Sequence, residues 1–269
     1  MPCDALGMRS EDLRLGTYAV VDVETTGLDA ARDRVVEVAC IRIERGIVTE
    51  RLASLVDPEG DIPARASAVH GIYERDVVGA PCLERLRDGL LAATEGATVV
   101  AHNARFDLGF LPFLATRPVV CTMRLAMHLI DASSYRNEAL RERLGITMPP
   151  GLGPAHRAAA DATVTAAVLG RLLERYAQGP FPQTIPGLIA TIAKPASLGR
   201  FAFGAHRGKP VSHVPTGYLR WILATGFEDW HDVRSTAERE LARRTRRVSE
   251  RETVARLGSH GGARPTGSY

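Results

Sequence analysis

The chain has 269 residues, 45% of them hydrophobic and 24% charged, the composition of an ordinary globular protein with room for one large domain or a medium and a small one. No run is long and apolar enough to span a bilayer, and the start MPCDALGMRSEDL reads as too polar and acidic for a secretory signal. The net charge of +3 is unevenly spread: residues 198–269 hold 13 Lys+Arg against 7 Asp+Glu, while residues 1–197 net −3, so a polyanionic partner is expected to favour the C-terminal third.

In chain order, residues 17–24, 34–44 and 47–56 read as three strands, the last two joined by a tight turn at Arg45-Gly46. Residues 57–81 read as loop with short helical pieces, and 84–94 as a helix. A short strand is expected at 97–103, leading into a helix from about Arg105, then a strand at 117–123, a helix over RLAMHLID and a short helix at 137–144. Residues 157–177 form the clearest helix, with an apolar stripe Val164, Val168, Leu172 flanked by Leu169 and Tyr176. Strands first, then strands alternating with helices, argue for an α/β fold on a mixed sheet. The Pro- and Gly-rich residues 179–197 read as a linker, 201–214 as a hairpin around His206–Gly208, and 217–226 and 232–247 as two helices. Residues 248–269 are expected to be a disordered tail. Cys3, Cys40, Cys82 and Cys121 are far apart, without zinc spacing, and read as reduced thiols of a cytoplasmic protein.

Chemistry concentrates in four acids. In AVVDVETTGL, Asp22 and Glu24 sit two residues apart on a strand and therefore share a face. Two like charges at a buried strand end cost several kcal/mol each, roughly, unless a cation joins them; the alternative is a solvent-facing edge. Asp161 falls on the apolar stripe of the strongest helix, and Asp107 at a strand-to-helix junction, where a capping role is also open. Oxygen donors alone suit Mg²⁺ or Mn²⁺, and a pair of such ions is a known clamp for phosphodiester cleavage. His156, just before the Asp161 helix, is placed to serve as a general base, or else is an ordinary loop histidine.

DVETTGL, HNARFD and HRAAAD, in that order, with AVHGI at 68–72, resemble the motifs of the DEDDh 3′→5′ exonuclease superfamily over residues 17–177. CTMRLA, PPGLGPAHRA and FAFGAHRGKPVSHVPTGYLRW are similar to the exodeoxyribonuclease X group within it. The resemblance implies a ribonuclease-H-like exonuclease domain at 17–178 and a small C-terminal α+β module at 198–247. Residues 1–16 are left as an extension. It implies two divalent cations held by Asp22, Glu24, Asp107 and Asp161, with His156 as the base. Thr25, Thr26 and Gly27 would seat the terminal sugar, with His70, Asn103 and Phe106 nearby, although Phe106 also suits the core. With two divalent ions bound, the −3 of residues 1–197 becomes about +1, which suits a phosphate substrate.

The implied activity is removal of 5′-mononucleotides from DNA 3′ ends, single- or double-stranded, in repair or end trimming. An exoribonuclease, a proofreading subunit docked on a DNA polymerase, and a silent nucleic-acid-binding module remain alternatives. No membrane partner is expected, and oligomeric state is open. In the C-terminal segment, Phe201, Phe203, Tyr218, Trp221 and Trp230 lie among Arg200, His206, Arg207, Lys209 and Arg220. That mixture suits either a small core or single-stranded nucleic acid, with Arg207 and Lys209 as candidate contacts. The run Arg243, Arg244, Arg246, Arg247 reads as a solvated helix end or a phosphate contact.

Overall fold

The structure is a computed structural model that describes residues 12–151, 153–201, 204–225 and 231–260. Most of the expected N-terminal extension, Cys3, Phe203, Trp230 and the end of the expected tail lie outside the described residues.

Five strands form one mixed sheet in the order β3-β2-β1-β4-β5. They are β1 (Thr17–Thr25), β2 (Val35–Glu44), β3 (Ile47–Leu55), β4 (Thr98–Ala101) and β5 (Val119–Cys121). β1, β2 and β3 pair antiparallel; β1, β4 and β5 pair parallel. The β2–β3 turn places Arg45 at φ 52 and Gly46 at φ 78, the left-handed pair that a two-residue hairpin requires. Among the described residues ten α-helices accompany the sheet: α1 (Ala64–His70), α2 (Glu74–Val77), α3 (Leu83–Ala93), α4 (Ala104–Phe110), α5 (Thr122–Leu129), α6 (Asn137–Arg143), α7 (Ala158–Ala177), α8 (Ile185–Ala193), α9 (Thr216–Ala224) and α10 (His231–His260).

The strand period divides β1 between two environments. Ala19, Val21 and Val23 join a buried cluster with Leu90 of α3, Val99 of β4, and Leu111 and Leu114 beyond α4. Asp22 and Glu24 take the opposite face, the one left to α7, which lies against β1 and β2 and contributes nothing to that cluster. The expected α7 stripe is buried in full: Val164, Val168, Leu169, Leu172 and Tyr176.

The chain divides into two compact units, one of Met1–Ile130 with Ser134–Lys194, the other of Asp131–Ser133 with Pro195–Tyr269. The expected linker at 179–197 is instead mostly part of the first unit, because it holds α8. Thr184 caps that helix by accepting from the Gly187 amide, a Pro occupies the first turn, and Leu188 and Ile192 are buried. Arg124 adds hydrogen bonds to the carbonyls of Ile192 (2.6 Å) and Lys194 (2.9 Å). The Pro and Gly of TIPGL are thus a helix start rather than a break.

In the second unit, among the described residues, the expected hairpin and α+β character reduce to one antiparallel bridge, Arg200↔Pro210. Pro210 has no amide to continue a ladder, and Gly204 and Gly208 turn the chain with φ of 64 and 80. The unit is otherwise built on α9 and α10. Helix α10 runs past 247 to His260, where a disordered tail was expected from 248. Residues 248–257 contain neither Gly nor Pro, so nothing local stops the helix there. Arg243 and Arg244, weighed above as phosphate contacts, are occupied within the unit. Both bind buried Glu240 (2.7–2.8 Å), and Arg244 also donates to Thr216 Oγ1 and the Val214 carbonyl.

Candidate active site

The site forms where β1 and β4 separate. Their parallel pairing covers Tyr18–Val20 on β1 and ends there. Beyond it the β1 edge lacks a strand neighbour on that side, and the Asp107 carboxylate accepts the Val23 amide at 3.3 Å. Asp107 is 2% exposed in the first turn of α4, where the helix dipole favours an acid. Asn103 starts that helix at φ 64, a left-handed position that Asn tolerates, and its side chain stays exposed. Its neighbour His102 is spanned by Thr122 Oγ1 and the Tyr135 carbonyl, both at 2.9 Å, and burial pushes it down to about 4, so it is a neutral structural group.

Asp161 enters from the first turn of α7 on the other face. Its Oδ2 accepts the amide of His156 at 3.2 Å, holding an exposed histidine whose φ is 61. Glu24, His156 and Asp161 each offer a donor atom within 4.8 Å of the others. A cleft of about 540 Å³ opens beside Asp161, lined by Glu138, Arg141, Ala160 and Val164.

The electrostatics of this end of the sheet are one-sided. Asp22 is driven well above the ordinary carboxylate range by burial and by the charges of Asp107, Asp161 and Glu24. Burial and Asp161 push Glu24 up to about 8, and burial pushes Asp107 up to about 7. Asp161 is raised too, by burial, with His156 pulling the other way. Four acids held out of water at one sheet end, with Asp22 and Glu24 raised further by their acidic neighbours, suit a bound cation. All four offer oxygen, the donor of Mg²⁺ and Mn²⁺ sites.

A family model for exonucleases (RNase_T) matches residues 19–169, and Exodeoxyribonuclease 10 of Escherichia coli (strain K12) is 34% identical over 209 residues, 76% of this chain and 89% of that protein. The chain belongs to the exonuclease family. DNA polymerase III subunit epsilon of Aquifex aeolicus (strain VF5) is 31% identical over 179 residues, 63% of this chain and 86% of that protein. The solved structure of Exonuclease X in complex with 5′ overhanging duplex DNA aligns with a TM-score of 0.55 at 29% identity, covering 65% of this chain and 99% of that one. The sheet and its helices have the ribonuclease-H-like exonuclease fold. Asp22, Glu24, Asp107, His156 and Asp161 all fall inside the matched residues of this exonuclease chain.

The other expected contacts are placed less uniformly. Thr25 and Thr26 are buried and spend their hydroxyls inside the loop: Thr25 Oγ1 donates to the Gly27 carbonyl (2.5 Å), and Thr26 Oγ1 accepts the Arg34 amide (2.9 Å). A Cβ on Gly27 would meet the Asp33 carboxylate at 2.4 Å, so any larger residue there would displace that side chain. His70 is 5% exposed and lies under this loop. Its Nδ1 accepts the Ile72 amide at 3.0 Å; its Nε2 is directed at the Thr25 backbone without reaching hydrogen-bond distance. Burial lowers its pKa, which suits a neutral support of the Thr25 loop better than an open substrate contact. Phe106 is half-buried and packs on Phe110 (5.1 Å between rings) at the border of the core.

Two positioning groups escape the motif reading. Glu37, the cross-strand partner of Glu24, is 5% exposed. It accepts Arg157 Nη2 at 2.7 Å, Arg157 Nε at 3.0 Å and the Ala158 amide at 2.8 Å. This clamp ties the start of α7, and with it the residue after His156, to β2. Asn137 donates to the Asp161 carbonyl (3.2 Å) and to Thr165 Oγ1 (2.9 Å). The signal for Glu37 was available: it is an acid inside the apolar run RVVEVACI, the same anomaly that singles out Asp22.

Proposed function

We propose that this exonuclease removes 5′-mononucleotides from the 3′ ends of DNA, using two Mg²⁺ or Mn²⁺ ions held by Asp22, Glu24, Asp107 and Asp161. The observation that carries the reading is the meeting of four acids held out of water and an exposed histidine at one sheet end. Bound there, the ions would supply Lewis acidity at the scissile phosphate. His156 accepts the proton of the attacking water as the new O–P bond forms and the P–O3′ bond breaks; the electron pair leaves on O3′, which takes a proton from solvent to become the 3′-hydroxyl of the shortened strand. Its amide contact to Asp161 keeps it beside the site through that transfer. The Thr25–Gly27 backbone seats the terminal sugar, with Asn103 at the rim.

DNA is favoured over RNA by the two nucleases compared above, one named an exodeoxyribonuclease and the other solved with DNA. Repair or end trimming is the corresponding role. A proofreading role beside a DNA polymerase is the second reading, favoured by the likeness to a polymerase III epsilon subunit. A cytoplasmic setting is supported by the free thiols of Cys40, Cys82 and Cys121 and by the absence, among the described residues, of a helix long and apolar enough to cross a membrane.

The test is a gel ladder from 5′-labelled single-stranded DNA and RNA of matched sequence, with Mg²⁺ and the purified chain. DNA shortened stepwise from its 3′ end, with RNA spared, is the expected result. RNA shortened faster than DNA moves the substrate to RNA, and no shortening of either overturns the enzymatic reading.

A further inference from the structure

Residues 198–225 lie beyond the matched exonuclease residues and contain Arg200, Arg207, Lys209, Arg220, His206 and His213 but no carboxylate. The aromatic residues of this stretch divide by position. Phe201 is 2% exposed and belongs to the unit's core. Helix α9 points Leu219 and Ile222 inward, both fully buried, which turns Tyr218 and Trp221 to an adjacent face, one turn apart. Tyr218 is half-buried and Trp221 is 46% exposed, an uncommon state for so large an apolar ring.

The two ring centroids lie 5.3 Å apart, tilted by 33°, and Tyr218 also meets His206 and the core ring of Phe201 edge to face, with centroids 4.4 and 5.9 Å away. Lys209 Nζ stands 3.4 Å from His206 Nδ1, so a cation borders the aromatic row. Gly204 makes room for it: a Cβ there would lie 2.7 Å from the Tyr218 hydroxyl oxygen. Arg200 is engaged by Asp131 (3.4 Å). Among the described residues no carboxylate pairs with Arg207, Lys209 or Arg220.

We propose that Tyr218 and Trp221, bordered by His206 and Lys209, form a second nucleic-acid site that stacks unpaired bases of single-stranded DNA. Exposed aromatic surface of this kind accepts any base, and Lys209, with no acid partner among the described residues, takes a phosphate beside it. Duplex DNA does not fit, because its bases are already stacked. The choice of DNA rests on the exonuclease reading; the stacking site does not.

The experiment uses the full chain with Trp230→Phe, which leaves Trp221 as its one tryptophan. In chelator, so that no strand is cut, oligo(dT) is titrated while tryptophan emission is followed. Quenching is expected, with roughly tenfold weaker binding after Tyr218→Ala. Trp221→Ala, read by the anisotropy of labelled oligo(dT), should weaken binding similarly, while Trp221→Phe restores most of it. Lys209→Gln should reduce the salt slope of binding by about 0.7. Far-UV dichroism and melting of each variant exclude loss of fold. Absence of quenching, unchanged affinity in both alanine variants, or equal affinity for a blunt duplex overturns the site. Tighter binding of oligo(rU) than oligo(dT) overturns the choice of DNA. Cleavage of DNA by a chain that shows no quenching would leave the exonuclease reading standing and remove this one.

Discussion

Glu24 and Glu240 are the same residue type in two regions of the molecule, and their surroundings drive them in opposite directions. Glu24 meets burial and other acids and is pushed up to about 8. Glu240 meets Arg243 and Arg244 and is held down at about 2. An acid that the fold supplies with guanidinium partners is architecture. An acid that the fold surrounds with more acids is a request for something the chain does not contain. Glu37 sharpens the contrast, because it is the cross-strand neighbour of Glu24 yet has Arg157 as a partner.

The largest expected effect separates the two classes by activity. Asp22→Ala and Asp161→Ala should each lower cleavage on the order of 10³-fold or more, while Glu240→Gln leaves it nearly unchanged. Single-turnover rates measure this, and undiminished cleavage by either aspartate variant would end the metal-site reading. Next comes His156→Ala, expected to slow cleavage roughly 10²–10⁴-fold. A variant that cuts as fast as the wild type in single-turnover measurements removes His156 as the base.

Stability against pH should show the same opposition. Without metal, folded Glu24 keeps a proton that the unfolded chain releases. The stability this contributes is complete below the unfolded value of 4.5 and is lost as pH rises through about 8. For Glu240 the sign reverses: its contribution is complete above 4.5 and is lost as pH falls through about 2. Thermal melting in chelator should therefore decline between about pH 5 and 8, and Mg²⁺ should abolish the decline. Acid loss below about pH 4.5 should be weakened in Glu240→Gln. A chelated profile that stays flat from about pH 5 to 8 would contradict the upward shift of the buried carboxylates.

The smallest effect concerns Glu37. Glu37→Ala should destabilise the fold by about 2 kcal/mol, since Arg157 is partly exposed and water recovers some of its hydrogen bonds. The rate should fall with little change in KM, because the start of α7 loosens beside His156. Glu37→Gln, which still accepts the Ala158 amide, should recover part of both. Equal losses in both variants would mean that the charge, not the amide contact, holds the helix.

Much of this was legible in the sequence. Alternation placed Asp22 and Glu24 on one face because a strand has a period of two, and the 3.6-residue period put Asp161 on the stripe with Val164 and Val168. Helix and turn chemistry located α7 and the Arg45-Gly46 hairpin. The misreadings share a cause: local composition was taken as decisive where tertiary packing was. TIPGL reads as a break until Leu188 and Ile192 are seen to be buried, and residues 248–257 read as the start of a tail although no Gly or Pro among them ends a helix.

The sequence alone determined which acids face together and in what order they come, because backbone periodicity acts over a few residues. Only the tertiary structure decided which charges have partners. Glu37 and Arg157 are 120 positions apart, and Asp107 meets Val23 across 84. It also turned Phe201 inward and Trp221 outward, and spent the hydroxyls of Thr25 and Thr26 inside their own loop. Those outcomes depend on which surfaces meet once the chain is compact, and no local period encodes that.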